Sequence, residues 1–273
     1  MPRRQICFIS FLLFVLLALV GSVFATEPPR VDQVQVTTPV LRSIEPPPQT
    51  ATPEMLEDRA DALRAEKLYL DALDYYRAAL AKKPHTAPIY NKIGIVELLM
   101  QRWPEAKKDF ENAIRSDREY SDAYNNLGVI FYIGKKYGKA IDRYNKAIKL
   151  KEDTASYYSN LGAALFSKKE FEKSATAYAH ALALDPDVFE RTSKNGVAAQ
   201  MSKPEDRAHY DYVVAKLYAK MGVADRSIEY LRRAMEEGYK GINSVYKDAE
   251  FAGVRKDPRF NELMAARPPA ITD

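Results

Sequence analysis

Cysteine is almost missing from this chain: of 273 residues only Cys7 carries a thiol, and it lies inside an apolar N-terminal run. The rest of the chain can form no disulfide and offers no thiolate set for a metal. An excess of one charge sign is missing too. The 41 Lys and Arg stand against 37 Asp and Glu, a formal balance of +4, which is too small for the footprint of a nucleic-acid-binding protein. The three histidines, His85, His180 and His209, have no His or Cys at ligand spacing, so no metal site is expected. No nucleophile elbow, phosphate-cradling glycine loop or His-Glu-x-x-His sequence occurs, so neither catalytic residues nor cofactors are expected. What is present is an ordinary soluble composition, 47% apolar and 29% charged, with enough chain for one or two domains around a sizeable core.

The N-terminus reads as an address. Arg3 and Arg4 precede an apolar stretch from Ile6 to Val20 in which only Ser10 is polar, and Val23 and Ala25 stand where a cutting enzyme wants small residues. Residues 1–25 are therefore expected to be a secretory signal cleaved after Ala25. The alternative is a retained anchor, since Ile6 to Ala25 matches the roughly 20 residues that span a bilayer. Residues 26–52 carry Pro28, Pro29, Pro39, Pro46, Pro47 and Pro48, which exclude a regular helix and suit an extended spacer.

Beyond the spacer the chain repeats itself. Ala79, Ala113, Ala147 and Ala181 stand 34 apart, as do Gly94, Gly128 and Gly162, with Ala60 one period earlier. Three further series keep the same register: Ala72, Ala106, Ala140 and Ser174; Tyr76, Phe110, Tyr144 and Tyr178; Tyr69, Trp103, Tyr137 and Phe171. Apolar spacings of three and four within each period, as in Leu127, Ile130 and Phe131, are helical. A period of this length built from helix pairs means that no unit buries its apolar face alone, so neighbours must stack. The small residues are expected to bring two antiparallel helices close, with Gly128 facing Ala140.

The pattern Tyr124-Asn125-Asn126-Leu127-Gly128, then Tyr137, Ala140, Tyr144 and Ala147, resembles the tetratricopeptide repeat (TPR). The resemblance implies an all-α solenoid of four contiguous units, 53–86, 87–120, 121–154 and 155–188, with a right-handed superhelical course and a concave groove. The closing proline of the family is present as Pro84 and Pro186 but replaced by Arg118 and Glu152. Residues 189–203 break the period and are expected to be an irregular insertion. A degenerate fifth unit follows over 204–241, with Ala208, Ala215, Ser227, Leu231 and Ala234 in the repeat slots and a capping box at Ser202-Lys203-Pro204-Glu205. Residues 242–273 are expected to cap the stack. Their Asp257-Pro258-Arg259-Phe260 resembles the closing segment of many bacterial TPR proteins.

The resemblance further implies which residues the first helices turn into the groove: Asn91, Lys92 and Ile95; Asn125, Asn126, Val129 and Tyr132; Ser159, Asn160, Ala163 and Phe166. Asn126 and Asn160, one period apart, offer donor and acceptor together and are expected to pair with the backbone of an extended peptide. Tyr132 and Phe166 would add apolar contact. The implied partner is another protein or an extended peptide, with no nucleic acid, and with membrane contact only through an uncleaved N-terminus. The Lys and Asn clamp of chaperone-binding members is absent, since its slots hold Glu57 and Asp61, Asn91 and Ile95, Asn125 and Val129. The run Lys135, Lys136, Lys139, Arg143, Lys146 and Lys149, interrupted by Asp142, reads as a solvated outer face.

Overall fold

The structure, a computed structural model, describes residues 44–192 and 203–267. The proposed signal, most of the spacer and the centre of the insertion lie outside the described residues. Helices begin where the period places them. The first pair is α1 (Pro53–Ala65) and α2 (Tyr69–Lys82), and the second α3 (Ala87–Leu99) and α4 (Trp103–Ser116). The third is α5 (Ser121–Ile133) and α6 (Tyr137–Leu150), and the fourth α7 (Ala155–Ser167) and α8 (Phe171–Leu184). A short α9 (Val188–Thr192) opens the insertion, and α10 (Pro204–Lys220) with α11 (Ala224–Glu236) forms the fifth pair. Three 3-10 turns, Ile242–Tyr246, Ala249–Ala252 and Val254–Lys256, lead into α12 (Pro258–Ala266). The described residues contain no strand.

Within each pair the turn has one construction. Lys67, Gln101, Lys135 and Lys169, spaced 34 apart, are left-handed with φ of 64°, 60°, 56° and 65°, and Gly222 (φ 76°) takes the same place in the fifth pair. The following amide reaches back over the helix end, as in Leu68 N–H to the Leu63 carbonyl (2.9 Å) and Lys136 N–H to that of Phe131 (2.8 Å). This closes the helix C-terminus by the bond that usually accompanies a glycine there. Four of the five turns place a long polar side chain where left-handed backbone costs about 1–2 kcal/mol.

The small-residue series has a more specific use than backbone approach. A methyl placed on Gly128 would stand 2.5 Å from Cε1 of Tyr144, and the same ring contact recurs between Gly94 and Phe110 and between Gly162 and Tyr178. The glycine makes room for the aromatic ring of the second helix. The slot of Ala140 does meet the glycine's backbone in later pairs, where Ser174 Oγ donates to the Gly162 carbonyl (2.8 Å) and Ser227 Oγ to that of Ala215 (2.9 Å).

Both ends of the stack are covered. At the start, Ala51 is buried, Ile44 packs against the first pair, and Tyr75 Oη and Lys82 Nζ donate to the carbonyls of Glu45 (3.3 Å) and Gln49 (2.6 Å). Residues 44–52 thus dock on the first pair, although proline content assigns them to an extended spacer. At the other end Val245, Phe251, Val254, Phe260, Leu263 and Met264 share one core with Tyr210, Tyr218 and Leu231. Asp257 caps α12 by accepting from Arg259 N–H at 2.9 Å. The expected capping box of α10 starts at Ser202, outside the described residues; the residue at the cap position is Lys203, which makes no side-chain cap bond.

Candidate functional site

First helices of successive pairs touch one another, α3 with α5 and α5 with α7, whereas second helices have no comparable mutual contact. The first helices therefore form the inner wall and the second helices the outer one. On the inner wall one polar contact repeats with a step of 35 residues. Asn160 Nδ2 donates to Asn125 Oδ1 (2.9 Å), and Asn126 Nδ2 donates to Asn91 Oδ1 (2.9 Å). Asn125 Nδ2 joins the two by donating to Asn126 Oδ1 at 3.1 Å. Four carboxamides from three first helices thus make one continuous chain.

The same step continues toward the N-terminus as ion pairs. Lys92 Nζ meets Glu57 at 2.7 Å and Asp61 at 2.5 Å, and Asp61 also accepts from the Tyr76 hydroxyl. Burial alone would raise the Asp61 carboxyl, but the bonds from Lys92 and Tyr76 outweigh it and hold the group below its ordinary range. Burial likewise opposes the Lys92 charge, and the two carboxylates more than restore it. Tyr132 Oη pairs with Ser167 Oγ at 3.0 Å, again 35 residues away.

The expected groove residues divide into two sets. Asn91, Asn125, Tyr132, Ser159, Ala163 and Phe166 are buried, so they are not the open contact surface that their slots imply. Phe166 is only 1% exposed because Phe171, His209 and Tyr210 close around its ring at 5.1, 5.1 and 6.3 Å. Slot position alone does not reveal which of these the next first helix covers. Lys92, Ile95, Asn126, Val129 and Asn160 are half-buried. With Leu98 and Ile133, also half-buried, and Leu99, 44% exposed, they leave an apolar strip beside the amide chain.

One feature has no signal in the repeat pattern. Where the insertion breaks the register, α8 and α10 meet over a smaller contact than α6 and α7, and a groove of about 460 Å3 opens between them. Phe171, Ala175, Ala179, Val213 and Leu217 line it, beside Lys220. No helix among the described residues is long and apolar enough to cross a membrane.

Family models agree with this geometry. A TPR repeat model matches residues 128–169, and a tetratricopeptide repeat model matches residues 155–188. No curated protein matches the sequence. Among solved structures, the chain is similar to MamA at 20% identity and a TM-score of 0.46, covering 65% of this chain and 93% of that one. It is similar to YrrB, described as a TPR protein with an unusual peptide-binding site, at 20% identity and a TM-score of 0.45, covering 70% and 89%. PilF of Pseudomonas aeruginosa gives 18% identity and a TM-score of 0.48, covering 79% and 82%. The repeat-model matches fall on the third and fourth of the hairpins whose 34-residue period runs from Pro53 to Val188. The chain thus carries tetratricopeptide repeats, matched over residues 128–188 and stacked as an α-solenoid, an architecture that serves as a protein-interaction scaffold.

Proposed function

We propose that the protein is a non-catalytic scaffold that holds an extended polypeptide segment against its inner wall, in the envelope of a bacterial cell. The observation that carries the binding mode is the strip Ile95, Leu98, Leu99, Val129 and Ile133, left half-open beside the amide chain. Each carboxamide nitrogen has two N–H groups. Asn126 and Asn160 each spend one on the neighbouring helix and keep one for a guest carbonyl. A guest with apolar side chains at alternate positions satisfies both features.

Because the amides also tie successive helices together, Asn126→Ala with Asn160→Ala should weaken stability as well as binding. The sharper probe is Leu99→Glu with Ile133→Glu, which charges the strip where it does not pack on the core and leaves the amides in place. Envelope proteins retained on the immobilised wild-type chain should be lost from this variant, with the melting temperature lowered by only a few degrees. An identical retained set from the two baits would reject the groove.

The envelope location rests on the basic start, apolar middle and small-residue end of residues 1–25. If the segment is instead kept as an anchor, the solenoid becomes a tethered structural component. Intact mass of the protein from membrane and soluble fractions separates the two.

A further inference from the structure

The outer wall carries a charge asymmetry that peptide binding in the groove does not use. Residues 134–151, α6 and its flanking turns, hold 7 of the chain's 41 basic residues and 1 of its 37 acidic ones, so this segment is +6 and the rest of the chain −2. Lys135, Lys136, Lys139, Arg143, Lys149 and Lys151 are exposed and Lys146 is half-buried.

Several lysines elsewhere are neutralised: Lys92 by Glu57 and Asp61, Lys107 by Glu111, Lys168 and Lys173 by Glu170, Lys216 by Asp248. None of the seven has a carboxylate at ion-pair distance among the described residues. Lys139 and Lys146 instead lie over the rings of Phe131 and Tyr124, at 5.9 and 5.7 Å. Lys139, Arg143 and Lys146, at steps of four and three, form one stripe along the helix.

The shape of this surface selects the partner. An acidic protein bound with specificity needs apolar anchors inside the contact. The apolar residues of α6 are turned into the core, with Ala140, Tyr144 and Ala147 wholly buried and no large apolar side chain exposed. What remains is a smooth row of cations on an outer wall. Such a wall meets a plane over one or two hairpins, and the charge sits on one: α4 mixes Glu105, Lys108 and Arg115, and α8 mixes Glu172 and Lys173. We propose that α6 docks the solenoid on an anionic lipid bilayer, leaving the inner wall open for its guest. Each lysine or arginine near such a surface strengthens binding by about five-fold, and the attraction is screened by salt.

The test is co-sedimentation of the full chain with phosphatidylcholine vesicles containing about 30% phosphatidylglycerol, against phosphatidylcholine alone, at about 0.05 M and 0.5 M salt. The protein should pellet with the anionic vesicles at low salt and be released at high salt. Lys139→Gln, Arg143→Gln, Lys146→Gln and Lys149→Gln together should weaken this binding by about 100-fold or more. Replacing the three lysines by arginine should preserve it, as should neutralising Lys67, Lys107, Lys168 and Lys173. Circular dichroism checks that each variant is folded; should the glutamine variant unfold, the arginine variant and the salt dependence decide. Equal pelleting with neutral vesicles would assign binding to the apolar N-terminus and overturn the proposal. Salt-sensitive binding to poly-glutamate without retention on anionic vesicles would overturn it in favour of an acidic polypeptide.

Discussion

Asp211 stands in the slot that Tyr90, Tyr124 and Tyr158 fill in three earlier hairpins. It is 4% exposed, its Oδ1 accepts no hydrogen bond among the described residues, and the guanidinium of Arg233 is 3.6 Å away. Burial pushes its carboxyl up to about 7, Arg233 and Arg207 pull down without restoring it, and Glu237 adds to the rise. The unfolded chain releases this proton near 3.8 while the folded state keeps it to about 7. Between those values the folded state binds more protons, so stability falls as pH rises through the window and levels off above it. Asp61 and Asp248, both held below the ordinary range, act oppositely and matter only at more acidic pH. Replacing Asp211 by Asn removes the charge and nearly keeps the shape. Thermal melts of Asp211→Asn from pH 5 to 8 should lose most of the decline seen in the wild type, with a gain of about 1–3 kcal/mol at pH 8. A wild-type profile that is flat or rising across that range would contradict the buried, under-bonded carboxylate.

At the scale of one hairpin, the glycine and the ring sixteen residues later behave as a single unit. Gly94 with Phe110, Gly128 with Tyr144 and Gly162 with Tyr178 pair the smallest residue with a large ring, while the fifth pair has Ala215 with Leu231. The first pair sets Ala60 against Tyr76, both fully buried, so the protein contains three solutions to one space. Gly128→Ala alone overpacks the contact and should cost about 1–3 kcal/mol; Tyr144→Leu alone leaves a void and should cost a similar amount. Together they recreate the fifth-pair solution, so the double variant should lose at least about 1 kcal/mol less than the sum of the singles in denaturant titration. Strict additivity would mean that the ring does not need the glycine. This level is also where the sequence is most legible. The starts of α1 through α8 follow from the period because each start is fixed by the same packing unit. The left-handed turns at Lys67, Gln101, Lys135 and Lys169 are illegible by composition, since the helix-closing bonds are made by backbone and require no particular side chain there. The amide chain is half legible: all four asparagines follow from their slots, but Asn126 and Asn160 bond to Asn91 and Asn125 at a step of 35, one residue out of register with the period.

The whole stack depends on how its ends are finished, because a solenoid's stability is a sum of unit and interface contributions. Counting one period on from Ala208 gives Ile242, the first residue of the 3-10 segment, so residues 242–256 occupy the place of a sixth first helix without the sequence to be one. The substitute is held by a few specific contacts. Tyr212 Oη and Lys216 Nζ both donate to Asp248, at 2.9 and 3.0 Å, and Arg255 ties the segment together through the carbonyls of Val245 (2.8 Å) and Asp248 (2.9 Å). Phe251, Val254 and Phe260 then close the core beneath α10 and α11. Ending the chain after Gly241 removes all of these and uncovers an apolar face made for burial. In a nearest-neighbour stack the damage should stay local: hydrogen exchange should show α10 and α11 losing protection by several kcal/mol, with α3 to α6 close to their wild-type values. The milder Asp248→Ala should show the same gradient at a smaller amplitude, because it deprives Tyr212 and Lys216 of their acceptor without removing the aromatic cover. Loss spread evenly from α1 to α11 would instead mean that the solenoid unfolds as one cooperative block, with the cap stabilising every hairpin alike.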